Sequence, residues 1–196
     1  MIRSLVAKGI LRLFGWTTCS LLPEGISKAV LIVAPHTSYW DFVIGRLTFG
    51  ASKVKVRVLI KEEAFFFPIG CLLRMLGGVP VARGKKNNMV EKAVEYLSEH
   101  NDLVVVITPE GSRRLVKQWK KGFYMIAVKA KVPIALGFID YKKKIGGVGP
   151  MLYPSGDFEN DLITIQDFYK GITACHPELY NLSPIPDNFH QQKNPI

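Results

Sequence analysis

The stretch AVLIVAPHTSYWDFVIGRLTFG, residues 29–50, decides the fold class of this 196-residue chain. Its first part, AVLIVAP (29–35), is short and uniformly apolar, which is typical of a strand buried on both faces of a sheet. A helix is predicted to begin near Ser38 and to carry Phe42 to Phe49. A buried strand followed directly by a helix is the repeating unit of α/β proteins.

The same alternation continues along the chain. Further strands are predicted at 54–60, 79–83, 103–109 and 133–140, and further helices at 64–76, 88–100, 122–131 and 161–176. We therefore predict an α/β fold with a mostly parallel central sheet flanked by helices. The chain is expected to divide into an N-terminal segment (1–25), a main domain (26–180) and a loosely packed C-terminal tail (181–196).

Residues 1–16 are predicted to form an amphipathic helix. Its apolar positions recur at helical spacing on one face: Ile2, Val6, Ile10 and Leu13. Lys8 and Arg12 lie on the other face and interrupt the apolar stretch, so the segment does not have the pattern of a signal peptide. An apolar face flanked by cations is typical of a helix lying in a membrane interface. Packing of that face against the main domain is the alternative.

The charge of the chain is strongly basic and unevenly placed. Lys and Arg number 26 against 16 Asp and Glu, for a net charge of +10, and residues 111–139 hold seven cations and no carboxylate. Such a surface suggests an anionic partner. Nucleic acid, anionic lipid and a phosphorylated small molecule all stay open at this point, as does an ordinary solvated surface.

The cysteines and most histidines give no sign of a metal centre. Cys19, Cys71 and Cys175 are far apart and lack Cys-x-x-Cys spacing, so we expect reduced, buried thiols. The remaining histidines outside the first loop lack ligand spacing: His100, His176 and His190. We therefore expect neither a metal nor an organic cofactor.

Three loops that follow predicted strands carry the candidate chemistry. They are PHTSYWD after the strand at 29–35, ARGKK after 79–82, and PEGSRR after 103–108. Because sites of parallel α/β sheets lie at the carboxyl ends of the strands, these loops are expected to surround one site.

The first loop suggests a general base. A histidine accepts a proton near neutral pH, and a carboxylate on its second ring nitrogen fixes the tautomer. Ser38 and Asp41 have the spacing of a helix capping box, which would point Asp41 back toward His36. A surface histidine beside a helix-capping Asp41 is the alternative. With no Gly-x-Ser-x-Gly motif, a base acting directly on a substrate hydroxyl is the simpler scheme.

The other two loops suggest an anion site. Arg83 follows one strand, and Arg113 follows another within the run Glu110, Gly111, Ser112. Arginine binds phosphate through a planar fork of donors. Together with His36, these residues describe a hydroxyl-activating base beside a bound anion.

These motifs, in this order, resemble the glycerol-3-phosphate and 1-acylglycerol-3-phosphate acyltransferase superfamily. The resemblance rests on His-x-x-x-x-Asp, Gly-Val-Pro-Val-x-Arg (78–83), Pro-Glu-Gly-Ser-Arg (109–113) and Val-Pro-Ile (132–134), and it covers roughly residues 30–140. The sequence departs from the family pattern at Pro35, where Asn is usual, at Ser112, where Thr is usual, and after Val-Pro-Ile. The acceptor therefore need not be lysophosphatidic acid.

The resemblance implies a role for each candidate residue. His36 would be the base and Asp41 its partner. Arg83 and Arg113 would bind the phosphate or head group of the acceptor, and a site shaped by Glu110, Gly111 and Ser112 would hold it. The implied activity is that of a 1-acylglycerol-3-phosphate O-acyltransferase in phospholipid biosynthesis, with acyl-CoA or acyl carrier protein as donor.

The resemblance also bears on location and on competing functions. A lysophospholipid-type acceptor lies in a bilayer, so we expect a peripheral protein on the cytoplasmic side of an anionic membrane surface, attached through segment 1–25. Two other functions are a non-catalytic basic module that binds membrane or nucleic acid, and a thioester hydrolase. Nucleic acid is not expected, because the basic residues are not interleaved with stacking aromatics.

Overall fold

The fold is taken from a computed structural model that describes residues 2–19, 22–51, 56–81 and 88–183. The helices are α1 (Ile2–Leu13), α2 (Trp40–Gly50), α3 (Ile69–Met75), α4 (Asn88–Glu99), α5 (Gly122–Ala130) and α6 (Phe158–Tyr169). The strands are β1 (Thr17–Thr18), β2 (Lys28–Val33), β3 (Val56–Lys61), β4 (Gly78–Val81), β5 (Leu103–Ile107), β6 (Ile134–Asp140) and β7 (Ile145–Leu152). Two short 3-10 turns lie at Glu62–Ala64 and Pro177–Leu179.

The strands form one mostly parallel sheet. Their order is β1-β7-β6-β2-β5-β3-β4, and the pair β6 and β7 is antiparallel while the other neighbouring pairs are parallel. The predicted α/β fold with a mostly parallel sheet, flanking helices and an N-terminal helix is confirmed.

The central strand β2 is buried on both of its faces, as its apolar sequence predicts. Val30 and Ile32 join a core cluster with residues of α4, α5 and α6 on one face of the sheet. Leu31 and Val33 alternate with them and pack on the other face, with Phe49 of α2. Helices on both faces explain why the strand needs no polar residue at alternate positions.

The position of β2 brings three loops together. It pairs in parallel with β5 on one side and β6 on the other, so the carboxyl ends of these strands meet at one edge of the sheet. The segment with His36 and Asp41 follows β2, the run from Glu110 to Arg113 follows β5, and Tyr141 follows β6.

Helix α1 lies against α2 and keeps most of its apolar side chains exposed. Its contacts with the domain include the buried residues Ala7 and Leu11 and a hydrogen bond from Ser4 Oγ to the carbonyl of Ala51 at 2.8 Å. Val6 is 54% exposed and Leu13 is 81% exposed. The described residues of the predicted apolar face therefore point to solvent. No helix in the described ranges is long and apolar enough to cross a bilayer.

Two strands were missed by the sequence analysis, the two-residue β1 and the longer β7. Strand β7, with the sequence IGGVGPML, is rich in glycine, which is depleted in strands. The glycines are required by packing, since a Cβ added at Gly149 would lie 2.3 Å from the ring of Phe168, and one at Gly146 would lie 2.7 Å from Thr48 Oγ1. The glycines thus lower the intrinsic strand propensity of β7, but they allow it to pack closely against α6 and α2.

Several predicted features differ in detail. The last helix begins at Phe158 rather than 161, because Asp157 caps it by accepting the backbone N–H of Asn160 at 3.1 Å. The predicted helix at 64–76 is shorter, with α3 beginning at Ile69 after a 3-10 turn. Just before this helix, Phe66 and Phe67 are exposed.

The prediction of buried thiols was wrong. Cys19 and Cys71 are exposed and Cys175 is half-buried, although all three are free of disulfides. Their surroundings had no signature in the sequence, because a lone cysteine suits core and surface positions equally.

The last strand in the sheet order carries a proline. The backbone of Val79 faces β3, since Gly77, two residues earlier, accepts the N–H of Val58 at 3.0 Å and directions alternate along a strand. Among the described residues β4 has no strand on its other side, and Pro80 is turned toward that side.

Candidate active site

The histidine and aspartate of the first loop are in direct contact. His36 Nδ1 lies 3.1 Å from Asp41 Oδ2, and the side chain of His36 is 19% exposed. An ionised Asp41 places the proton on Nδ1, so Nε2 carries the lone pair that can accept a proton. The side chains thus have the geometry of a general-base dyad.

Asp41 lies in the first turn of α2, and its carboxylate points back to the loop that precedes the helix. Its Oδ2 accepts the backbone N–H groups of Thr37 at 2.8 Å and Ser38 at 2.9 Å. The predicted backward orientation of Asp41 is therefore present, and the carboxylate contacts the loop amides and the imidazole together. Burial opposes ionisation of Asp41, but the hydrogen bonds from His36 and from the hydroxyl of Tyr141 outweigh it, so its pKa lies below the ordinary value.

Glu110 lies behind His36. It is 5% exposed, and its Oε1 accepts the backbone N–H of His36 at 3.0 Å. Within the described residues its Oε2 is buried without a hydrogen-bond partner. We therefore place Glu110 as a support of the loop that carries His36, whereas the resemblance implied that it shapes the acceptor site.

The burial of Glu110 changes its ionisation. Desolvation raises the pKa of its carboxyl to about 7, although the amide of His36 and the charge of His36 act in the opposite direction. The carboxyl is therefore poised to change charge near neutral pH, directly behind the dyad.

Arg113 extends toward the same loop from the end of β5. Its guanidinium carbon lies 3.4 Å from the centre of the Tyr39 ring, which is itself exposed. Stacking on an aromatic face holds the arginine while leaving donors at its rim for an anion. The hydroxyl of Ser112 accepts the backbone N–H of Arg114 at 3.1 Å, so it is engaged within its own turn.

Gly111 is explained by its backbone and by its neighbour. Its φ is +63°, and a Cβ at this position would lie 2.7 Å from Lys120 Nζ and 3.1 Å from Lys120 Cδ. The space that glycine leaves is thus filled by Lys120, whereas the resemblance implied that Gly111 shapes the acceptor site. The backbone of Lys120 is fixed by its N–H, which donates to Pro109 O at 2.8 Å.

The site therefore combines predicted and unpredicted residues. His36, Asp41, Glu110, Gly111, Ser112 and Arg113 lie along two adjacent loops, while Arg83 lies outside the described residues. Two residues of the neighbourhood had been missed, Lys120 and Tyr141. The sequence signals for these two residues were weak. Lys120 directly follows a tryptophan, and Tyr141 directly follows a predicted strand.

Two comparisons with known proteins found similarity. A family model described as Acyltransferase matches residues 18–135, more than half of the chain. The fold is similar to the crystal structure of the 1-acyl-sn-glycerophosphate (LPA) acyltransferase PlsC from Thermotoga maritima, with 20% sequence identity and a TM-score of 0.59. That match covers 86% of this chain and 76% of the PlsC chain. Among curated proteins, no match was found.

Proposed function

Because this chain belongs to the acyltransferase family, we propose that it moves a fatty acyl group from a thioester to a hydroxyl of a glycerol-phosphate-type acceptor. The proposed donors are acyl-CoA and acyl carrier protein, and lysophosphatidic acid is the first acceptor to test. The observation that carries the proposal is the contact of His36 Nδ1 with the buried carboxylate of Asp41, which leaves Nε2 to act on substrate.

The proposed reaction is a single transfer. His36 Nε2 takes the proton of the acceptor hydroxyl as its oxygen forms a bond to the thioester carbonyl carbon. The carbon–sulfur bond then breaks, and the departing sulfur receives the proton from the imidazolium. Asp41 stabilises the imidazolium between the two steps. The resulting products are an ester and a free thiol.

The cationic side of the site supports an anionic acceptor. Arg113 stacks on Tyr39, only three residues from His36 in the sequence, and Lys120 lies over Gly111 of the adjacent loop. Holding a phosphate there would place the acceptor hydroxyl beside the base, and such orientation contributes several kcal/mol to catalysis. The family resemblance adds Arg83 to these cations.

The direct test is a transfer assay with purified protein. Labelled acyl-CoA or acyl carrier protein is supplied with lysophosphatidic acid, glycerol 3-phosphate or an uncharged monoacylglycerol, and the products are identified by mass spectrometry. We expect an acylated product with the phosphorylated acceptors. Thioester cleavage at a rate that no acceptor changes would instead favour a hydrolase, and vesicle binding without any turnover would favour a binding module.

Arg113→Ala is expected to raise the KM for a phosphorylated acceptor and to leave the KM for the donor unchanged. Loss of one charged hydrogen bond costs about 1.5–3 kcal/mol, which corresponds to a KM increase of about tenfold or more. Arg114→Ala is the matched control, because Arg114 is the adjacent arginine and is exposed. Steady-state kinetics with each substrate varied in turn provide the measurement. A change confined to the donor KM would assign Arg113 to the donor instead.

We further propose that the protein binds peripherally to the cytoplasmic surface of a membrane through α1. The helix is held on α2 by Ala7 and Leu11, and its other apolar residues are exposed: Leu5, Val6, Ile10, Leu13. Lys8 and Arg12 are exposed as well. Apolar side chains between cations are suited to an anionic lipid surface.

Replacing Val6 and Leu13 together with glutamine is expected to weaken vesicle binding at least about tenfold, since burial of one large apolar side chain contributes roughly 1.5–3 kcal/mol. Met125 and Val128, which are also exposed but belong to α5, give the control pair. Co-sedimentation with vesicles of graded anionic content measures the effect, and wild-type binding should weaken with salt. Wild-type protein that stays in the supernatant at low salt would refute attachment.

A further inference from the structure

A tyrosine far away in the sequence binds the second oxygen of the catalytic aspartate. The hydroxyl of Tyr141 donates to Asp41 Oδ1 at 2.7 Å across 100 residues of sequence. Asp41 is 3% exposed, and its other oxygen, Oδ2, faces His36 Nδ1 and the two loop amides. Both oxygens of the carboxylate are thus hydrogen-bonded, which fixes its rotation about the bond to Cβ.

Tyr141 is suited to remain a donor at every working pH. Burial, followed by the hydrogen bond to Asp41 and the charge of that carboxylate, raises the pKa of Tyr141 far above its ordinary value. The thiol of Cys175 acts on this pKa in the same direction. The groups that surround the Tyr141 hydroxyl are therefore Asp41 and Cys175, with His36 and Glu110 beyond the carboxylate.

The segment that follows α1 holds Tyr141 from outside. The ring of Trp16 is buried and meets the ring of Tyr141 edge-on, with centroids 5.1 Å apart and planes at 90°. The next residue, Thr17, donates its N–H to Lys144 O at 2.9 Å in the turn that begins with Tyr141, and Lys144 Nζ donates to Phe14 O at 3.3 Å. The N-terminal segment and this turn are thus joined at three points.

We propose that Tyr141 is a positioning residue of the His36–Asp41 dyad, and that the N-terminal segment acts on the dyad through Trp16. The proposal rests on the proposed function, in which His36 is the base. Tyr141 lies outside the residues that the family model matches, so the family resemblance does not assign it. By holding Oδ1, Tyr141 keeps Oδ2 in line with Nδ1, and it also shares the negative charge of the carboxylate.

The test compares Tyr141→Phe with Tyr124→Phe. Tyr124 of α5 is a matched control, because its hydroxyl also donates to a buried aspartate, Asp161 of α6, at 2.7 Å. For Tyr141→Phe we expect kcat to fall about tenfold, the usual scale for loss of a group that orients a reactive side chain. The KM values for donor and acceptor should change less than about twofold, since the Tyr141 hydroxyl is engaged by Asp41 and has no part in substrate binding in the proposal. Tyr124→Phe should leave kcat unchanged.

Two further readouts separate positioning from a merely structural role. Without the donor, the Asp41 carboxylate becomes more basic and favours the imidazolium, so the acid limb of the kcat/KM profile should move to higher pH. The low-field proton of His36 Nδ1 in nuclear magnetic resonance spectra should shift as well, and this signal does not depend on turnover. An unchanged kcat, or a reduced kcat with an unchanged acid limb and unchanged proton signal, overturns the proposal.

The part played by Trp16 is tested by a double-mutant cycle. Trp16→Leu removes the edge contact and should lower kcat, but it should add little in the Tyr141→Phe background, because no hydroxyl remains to be positioned. Full additivity of the two effects overturns the link through Trp16. If the wild-type protein transfers no acyl group, the proposed function fails, whereas the proton signal still tests the contact of Tyr141 with the dyad.

Discussion

His36→Ala is expected to lower kcat by at least about 100-fold, because a placed general base contributes about 10²–10⁴-fold to proton transfer. The fold should persist, since Asp41 keeps the backbone N–H groups of Thr37 and Ser38 and the hydroxyl of Tyr141. Transfer from acyl-CoA in the linear range measures the rate, and circular dichroism checks the fold.

A second histidine supplies the control for this variant. His100 is half-buried, and its ring nitrogen Nδ1 lies 2.9 Å from the carbonyl of Tyr96. It precedes the amino end of β5, so it lies at the edge of the sheet opposite His36. His100→Ala should therefore keep near-normal transfer. If folded His36→Ala protein transfers as fast as His100→Ala protein, His36 is not the base, and the reaction needs another proton acceptor.

Glu110→Gln is expected to make the protein more stable at pH 8 and to change its stability little at pH 4. The unfolded carboxyl has an ordinary pKa of 4.5, and burial raises the folded value to about 7. The folded state therefore binds the proton more tightly, so wild-type stability is greatest below the unfolded pKa and declines as pH rises toward 7. Glutamine has no proton to lose, and the gain at pH 8 should be on the order of 3 kcal/mol.

The stability difference is measured by urea unfolding of both proteins between pH 4 and pH 8. Glu159→Gln gives a control of opposite sign, because a hydrogen bond from Lys121 lowers the pKa of Glu159. Its stabilisation is present above the unfolded pKa and is lost in acid, so that variant should lose stability toward high pH. A difference between Glu110→Gln and wild type that does not vary with pH would show that Glu110 ionises normally in the folded protein.

The sequence predicted those parts of the molecule in which local pattern and tertiary role agree. Strands β2, β5 and β6 are buried on both faces, so their apolar runs were sufficient. The contact of His36 with Asp41 was also predictable, because five residues of spacing and a capping geometry determine it locally. Strand β7 was not predicted, because its glycines are required by close contacts with Phe168 and Thr48, which are distant in the sequence.

The same limit applies to the site. Glu110 was predicted as a site residue, but its burial behind His36 depends on the pairing of β2 with β5. The position of Tyr141 beside Asp41 depends on the pairing of β2 with β6, and its contact with Trp16 depends on the pairing of β1 with β7. None of these pairings can be read from periodicity, because periodicity identifies strands without giving their order.

The proline of β4 bears on how the molecule behaves in crowded solution. A terminal strand with a full row of outward N–H groups is a template on which another chain can add a strand and begin aggregation. Pro80 has no N–H, and it occupies an outward position of a strand that spans only Gly78–Val81. Strand addition at this edge therefore lacks a donor where a recruited strand would need it, which disfavours aggregation through β4.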